Sequence, residues 1–523
     1  MMIRSQREPF VPMSKKERRR LTLSAILFFF ATAFFRLSLW ADMYYNDLNF
    51  EEIVFHLMVP LKGTDPDIVR DALIYTLPVA ILLTAALTTL LILSRRTRWK
   101  WQLTLPKALR GRHRSAIRLL PRKNPQRIAF WLSLVFLIMT ILVANNNFQV
   151  FAYVKAQMTD TTFIEEHYVD PENVALTFPE EKRNLIYIYL ESVESTFADI
   201  ESGGAFPANT IPELTRLAGE YTHFSNRDRL GGAQQVTGTG WTIAAMFSQS
   251  TGLPLKLPIG QNAMSQFDVF FPGVNAIGDI LQEHGYQNML MVGSDATFGG
   301  RRSFFEQHGG YRIKDYWTAI EDDRFPAGYR VWWGFEDVKL YKYAKDELLK
   351  LADTDQPFNF TMLTVDTHHE DGYRCPLCRN EHGEQYANVM NCASRQLTGF
   401  VEWIQDQPFY EQTTIIVIGD HQSMDRDFTE NIAEDYVRTT YNVLINSATE
   451  ADPARTVNRQ FTSLDLFPTT LASLGVSIEG DQLGLGVNLY SDQPTLLEQF
   501  GSEFTTRLAD RSSFYNDHFI FID

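Results

Sequence analysis

At 523 residues with a formal net charge of −15, the chain is too long for one ordinary domain and too acidic to hold a polyanion such as DNA by charge alone. The charge is unevenly spread: residues 1–150 carry 22 Lys+Arg against 9 Asp+Glu, a balance of +13, which leaves −28 for the remainder. Two different environments are implied.

The first three elements are apolar stretches at about 21–40, 72–94 and 127–147. Each is near the ~20 residues that a helix needs to cross a bilayer. A cleaved signal would not account for three such stretches, and only WADMYYND follows the first, with no small-residue cleavage site. Arg36, near the outer end of the first stretch, reads as a side chain that snorkels to the interface. The loop 95–127 has 12 Lys/Arg and no acid, whereas residues 41–71 are mostly acidic. Basic loops stay inside, so the expected topology is multi-pass in the cell (inner) membrane, with a cytoplasmic N-terminus and everything after the third span extracytoplasmic. Residues 1–148 thus read as an anchor, and the basic loop as a contact for anionic lipid rather than nucleic acid.

A linker, 149–183, contains the helical pattern VFAYVKAQMTDTTFIEEHY and leads into an extracytoplasmic domain, 184–523. There, short apolar runs (NLIYIYL from 184, NMLMV from 288, FNFTMLTV from 358, TTIIVI from 413) alternate with amphipathic patterns such as VNAIGDILQEHG. This texture predicts an α/β fold with a mostly parallel sheet flanked by helices. Each run ends in polar residues: Glu191-Ser192, Ser294-Asp295, Asp366-Thr367-His368-His369 and Asp420-His421. In a parallel sheet these ends share one edge, where distant residues can converge on a ligand. A carboxylate beside an imidazole at such an edge is a signal for a divalent cation.

Between the first two runs lies RLGGAQQVTGTGWTIAAMFSQSTGLP, a Gly- and Thr-rich loop opening an apolar helix. Thr242 falls at the helix start, where unpaired amides and the helix dipole favour an anion, and a hydroxyl there can attack phosphorus. Spacing alone does not separate Thr242 from Thr237 and Thr239, and an N-capping Thr is the plain structural reading. Cys375, Cys378 and Cys392 are expected to form one disulfide, Cys392 with Cys378 or Cys375. The alternative is a small zinc site that adds His382.

Taken together, YIYLESVES, GTGWTIAAMFSQSTGLP, FGGRRSFF, LTVDTHHEDGY and VIGDH, in that order, resemble the alkaline-phosphatase superfamily. The closest resemblance is to the branch with lipoteichoic acid synthase and phosphoglycerol transferase I, over roughly residues 184–490. It implies Glu191, Thr242, Asp420 and His421 as ligands of one divalent metal, Mn²⁺ or else Mg²⁺, with Thr242 as the nucleophile. His368 and Arg301 would contact the phosphoglycerol group. Gly299-Gly300 stand where lipoteichoic acid synthases have a tryptophan, and GWTIAAM and TVDTHH look more like phosphoglycerol transferase I. The implied activity moves glycerol phosphate from phosphatidylglycerol to a glycan hydroxyl through a phosphothreonine-type intermediate, releasing diacylglycerol. Rival readings are a polyglycerolphosphate synthase, a phosphoethanolamine transferase and a catalytically inactive glycan-binding relative. A sulfatase nucleophile motif is not met, because CPLCR at 375–379 has its proline in the wrong place.

Overall fold

The computed structural model describes residues 13–45, 48–58, 66–96, 102–104, 116–118, 125–258 and 269–521. The first twelve residues and most of the basic loop 95–127, on which the topological reading rests, lie outside them. The chain divides into two units, Met1–Met43 with Asp65–Val150, and Tyr44–Thr64 with Phe151–Asp523.

The first unit holds three long helices: α1 (Lys15–Tyr44), α3 (Pro66–Arg96) and α4 (Pro125–Phe148), with α2 (Phe50–Met58) belonging to the other unit. All three are long and apolar enough to cross a membrane, and this is a membrane protein. Phe30, Leu82 and Leu132 are more than half exposed, as befits side chains whose solvent is lipid. Small and hydroxylated residues sit where the helices meet: Thr140 Oγ1 lies 3.4 Å from the Ala31 carbonyl. Arg36 does more than reach for the interface. Its guanidinium lies 3.6 Å from the Tyr75 ring centre and donates to the Tyr75 carbonyl.

The second unit is built on a six-stranded sheet. Its strands are β1 (Asn184–Leu190), β2 (Gln287–Val292), β3 (Arg312–Lys314), β4 (Phe358–Leu363), β5 (Thr413–Gly419) and β6 (Asn442–Ile445), in the order β3-β2-β4-β1-β5-β6. All pairs are parallel except β5 with β6. Burial explains the unbroken apolar runs. Leu185, Tyr187 and Tyr189 face one core while Ile186, Ile188 and Leu190 face the other, so both sides of the sheet are covered.

The α/β expectation is thus met, and the four runs recognised in the sequence are the four central strands. Two edge strands were not foreseen. β3 has only three residues, and β6 follows a polar loop that hides its start. The helical pattern in the linker is also interrupted, giving Val150–Met158 and Phe163–His167.

Candidate metal and nucleophile site

Register creates the site. β1 pairs in parallel with β5 so that Leu190 lies opposite Gly419, and the next residue of each strand, Glu191 and Asp420, therefore emerges beside the other. Gly419 is needed at that point because a Cβ there would lie 1.8 Å from the Val193 carbonyl oxygen. Ser192 takes a positive φ of 57°, and its amide and that of His421 each donate to Asp420 Oδ1 at 2.8 Å. Ser192 Oγ donates to Glu191 Oε1 at 2.8 Å.

His421 completes the group. Its Nδ1 is 2.8 Å from the Gln422 carbonyl, an acceptor only, so Nδ1 carries a proton and Nε2 faces the acids. Nε2 lies 3.4 Å from Glu191 Oε1 and 3.5 Å from Asp420 Oδ2. The loop behind is braced by Glu194, which accepts from the Ser423 amide and forms a buried ion pair with Arg438.

Hydrogen bonding distinguishes Thr242 from Thr239. Helix α5 (Thr242–Thr251) has Trp241 as its N-cap, so Thr242 is the first helical residue and not the cap. Its Oγ1 lies 3.3 Å from Glu191 Oε2 and 3.4 Å from His421 Nε2. Thr239 is occupied otherwise. Its buried hydroxyl donates to the Val236 carbonyl and accepts from the Val236 amide, closing the turn before the helix.

The electrostatics ask for positive charge. Burial lowers the His421 pKa, but the facing Asp420 and Glu191 outweigh it and lift it to about 10. Burial together with the Glu191 charge pushes Asp420 up to about 7. Burial would also raise Glu191, yet its bond with His421 and the nearby imidazoles hold it well below the usual carboxylate range. Asp420 Oδ2 is buried without a hydrogen-bond partner. Two carboxylates, one imidazole nitrogen with its outer nitrogen tied to a carbonyl, and one orphaned buried oxygen make a donor set that fits a divalent cation.

The other expected residues surround this group. Arg301 opens α6 (Arg301–Gln307) and is 5% exposed; it donates to Ser294 Oγ and to the Asp295 and Phe298 carbonyls. Burial lowers its pKa to about 10, with the Glu191 charge opposing. Among the described residues no carboxylate is in ion-pair contact with it, which suits a guanidinium awaiting an anionic group. His368 has its Nδ1 2.6 Å from the His369 carbonyl, so Nε2 is left to accept; burial keeps the ring neutral. Asp295 and Asp366 do not join Glu191 and Asp420, although they too end strands. Asp295 binds the Trp317 indole, and Asp366 accepts from the Asp337 amide.

One wall was not anticipated. The segment between the first two apolar stretches contributes α2, whose Phe55 packs on Trp241 with ring centres 5.4 Å apart. His56 stacks near Phe298, and Tyr45 meets His369 at 4.7 Å. Glu51 and Glu52 are buried, and the charge of Lys256 partly offsets the burial that raises Glu51 to about 7. The only signal was FEEIVFHLM, an amphipathic stretch inside a loop that charge counting treated as topology alone.

Comparison with known proteins finds the sulfatase family model matching residues 183–476. Phosphoglycerol transferase I of Salmonella choleraesuis (strain SC-B67) is 31% identical over 384 residues, 71% of this chain and 47% of that protein. The phosphoglycerol transferase I of Salmonella typhi is 33% identical over 314 residues, 58% of this chain and 39% of the other. The chain spans about half the length, or less, of these curated relatives. Among solved structures, the lipoteichoic acid synthase LtaP from Listeria monocytogenes is 18% identical, with 64% of this chain and 82% of that one covered at a TM-score of 0.48.

Proposed function

The chain belongs to the sulfatase family of the alkaline-phosphatase superfamily, and from that premise we propose that it is a membrane-anchored phosphoglycerol transferase. The observation that carries this reading is the Thr242 hydroxyl set between the Glu191 carboxylate and His421 Nε2 at the head of a buried helix. The phosphoglycerol transferase I relatives supply the choice of head group.

Glu191, Thr242, Asp420 and His421 would hold one divalent metal, manganese for a mixed carboxylate–imidazole set, or magnesium. When bound, such an ion lowers the pKa of a hydroxyl and neutralises charge on phosphate oxygens. The remaining chemistry falls to the chain. The free amides at the start of α5 point at the phosphate of a bound phosphatidylglycerol, and the Arg301 guanidinium steadies its oxygens. Thr242 Oγ1 forms a bond to phosphorus, the bond from phosphorus to the diacylglycerol oxygen breaks, and diacylglycerol leaves with a proton. His368 Nε2 accepts a hydrogen bond from the glycerol. An acceptor glycan hydroxyl then attacks the same phosphorus, loses its proton and restores the Thr242 hydroxyl. The membrane helices keep the site close to its donor, raising effective concentration without further contact. In this reading the catalytic unit lies on the extracytoplasmic side of the cell membrane.

The test is to incubate the full-length protein with vesicles of phosphatidylglycerol or of phosphatidylethanolamine and to read the adduct on Thr242 by mass. A glycerophospho adduct with release of diacylglycerol is expected. A phosphoethanolamine adduct would transfer the protein to the rival donor class, and no adduct with either lipid would leave a glycan-binding role.

A further inference from the structure

The cysteines are left unused by this chemistry. They lie on the segment after β4 and on helix α7 (Gln385–Gln405), in a group separate from Glu191, Asp420 and His421. Instead of one pair and a spare, the structure brings all three together. Cys375 Sγ is 3.8 Å from Cys392 Sγ and 3.7 Å from Cys378 Sγ, and all three sulfurs lie within 4.8 Å of one another.

We propose that Cys375, Cys378 and Cys392 bind a zinc ion, a structural thiolate site that ties the segment following His368 and His369 to helix α7. The separations carry the geometric argument. Zinc–sulfur bonds of about 2.3 Å at tetrahedral angles put neighbouring sulfurs about 3.8 Å apart. Disulfide sulfurs would be about 2.05 Å apart, and a disulfide could use only two of the three.

Local chemistry agrees. Cys375-Pro-Leu-Cys378 forms a tight turn, with the Cys378 amide donating to the Cys375 carbonyl at 3.0 Å. Gln396 Nε2 lies 3.4 Å from Cys392 Sγ and 3.7 Å from Cys375 Sγ. The Arg395 charge acts on Cys392. An amide donor shared by two of the sulfurs favours thiolate, the form that binds metal. Buried cysteines that merely fill space need no such donors.

The ring of His382, the fourth ligand the spacing suggests, is not part of the converging group. Its backbone is engaged by Asn388. Cys378 is the half-buried cysteine of the three. The function assigned is mechanical. The segment is pinned at one end by the Asp371 amide on Asp425 and the Gly372 carbonyl on Gln385, and zinc would pin the other.

The full-length protein, purified in detergent without oxygen, tests this. Elemental analysis should find one zinc per chain that His421→Ala retains, that p-chloromercuribenzoate releases and that Cys392→Ser lacks. Replacement by cobalt should give the near-ultraviolet absorption of thiolate-to-cobalt charge transfer. Should Cys392→Ser not fold, mercurial release and the cobalt spectrum of the unaltered protein decide. A non-reduced mass two daltons below the reduced one, with a single alkylatable thiol, would overturn the proposal, as would zinc content indifferent to the mercurial.

Discussion

Among the described residues, two clusters of metal-ligand type lie in one unit of this molecule, and they differ in every respect that matters for chemistry. The Glu191–Asp420–His421 group offers hard oxygens and one imidazole, sits where two parallel strands end, and has the Thr242 hydroxyl against it. The cysteine group offers soft sulfur, sits on a loop and a helix, and is lined by Gln396 and Arg395 with no nucleophile other than its own thiols. Burial is common to both, so burial does not mark the reactive site. What marks it, in the proposed reading, is a hydroxyl placed beside the donors and a buried guanidinium, Arg301, under the Coulombic influence of the same acids.

The sharpest way to break this comparison is Thr242→Ala. Transfer should fall by about four orders of magnitude while the thermal midpoint moves little, because in the proposed reaction Thr242 is the nucleophile, and it is not the helix cap. Thr239→Ala should do the reverse, keeping turnover and losing about 1–2 kcal/mol of stability in a denaturant titration, since its hydroxyl closes a buried turn. Equal activity loss in both variants would void the distinction.

Next in size, Asp420→Asn should abolish activation by added manganese and lower turnover by about three orders of magnitude, measured as diacylglycerol release over a manganese titration. Zinc held by the cysteines should be unaffected. Loss of both metals together would merge the two clusters into one unit of stability.

Phe55→Ala probes the wall that α2 lends to the reactive site. Deleting a fully buried ring that packs on Trp241 costs about 3–5 kcal/mol for a core residue, and the conservative Phe55→Leu should restore most of it. The expected kinetic signature is a raised KM for lipid in the Leu variant with kcat nearly kept.

The last test concerns acid, the obvious way to strip either cluster. His223, whose Nε2 donates to the Gly231 carbonyl, is held to about 4 by burial, below its ordinary 6.5. A depressed imidazole pKa means the unfolded chain takes the proton first. Stability is therefore whole above pH 6.5 and declines as pH falls toward 4, by at most about 1.4 kcal/mol per pH unit. His223→Gln should flatten that part of a pH series of thermal midpoints, leaving metal loss to be read without it.

The central strands were legible because short apolar runs bounded by polar breaks fit strands buried on both faces and are too short for buried helices, and their polar ends named the sheet edge. Asp295 and Asp366 show the limit of that signal, since a polar strand end may serve a neighbouring loop as well as a site. Helix α2 and the edge strands were hidden because each is short and gains its order from what it packs against.

Sequence by itself determined the apolar helices, the parallel core and the order in which Glu191, Thr242, His368 and Asp420-His421 arrive, since hydrophobic period and motif order are local properties. Only tertiary structure decided which threonine faces the acids, that Phe55 walls the site, and that three cysteines meet at one point. The first two depend on strand register and on packing between residues far apart in sequence, and the third on how a turn is laid against a helix, which no local pattern encodes.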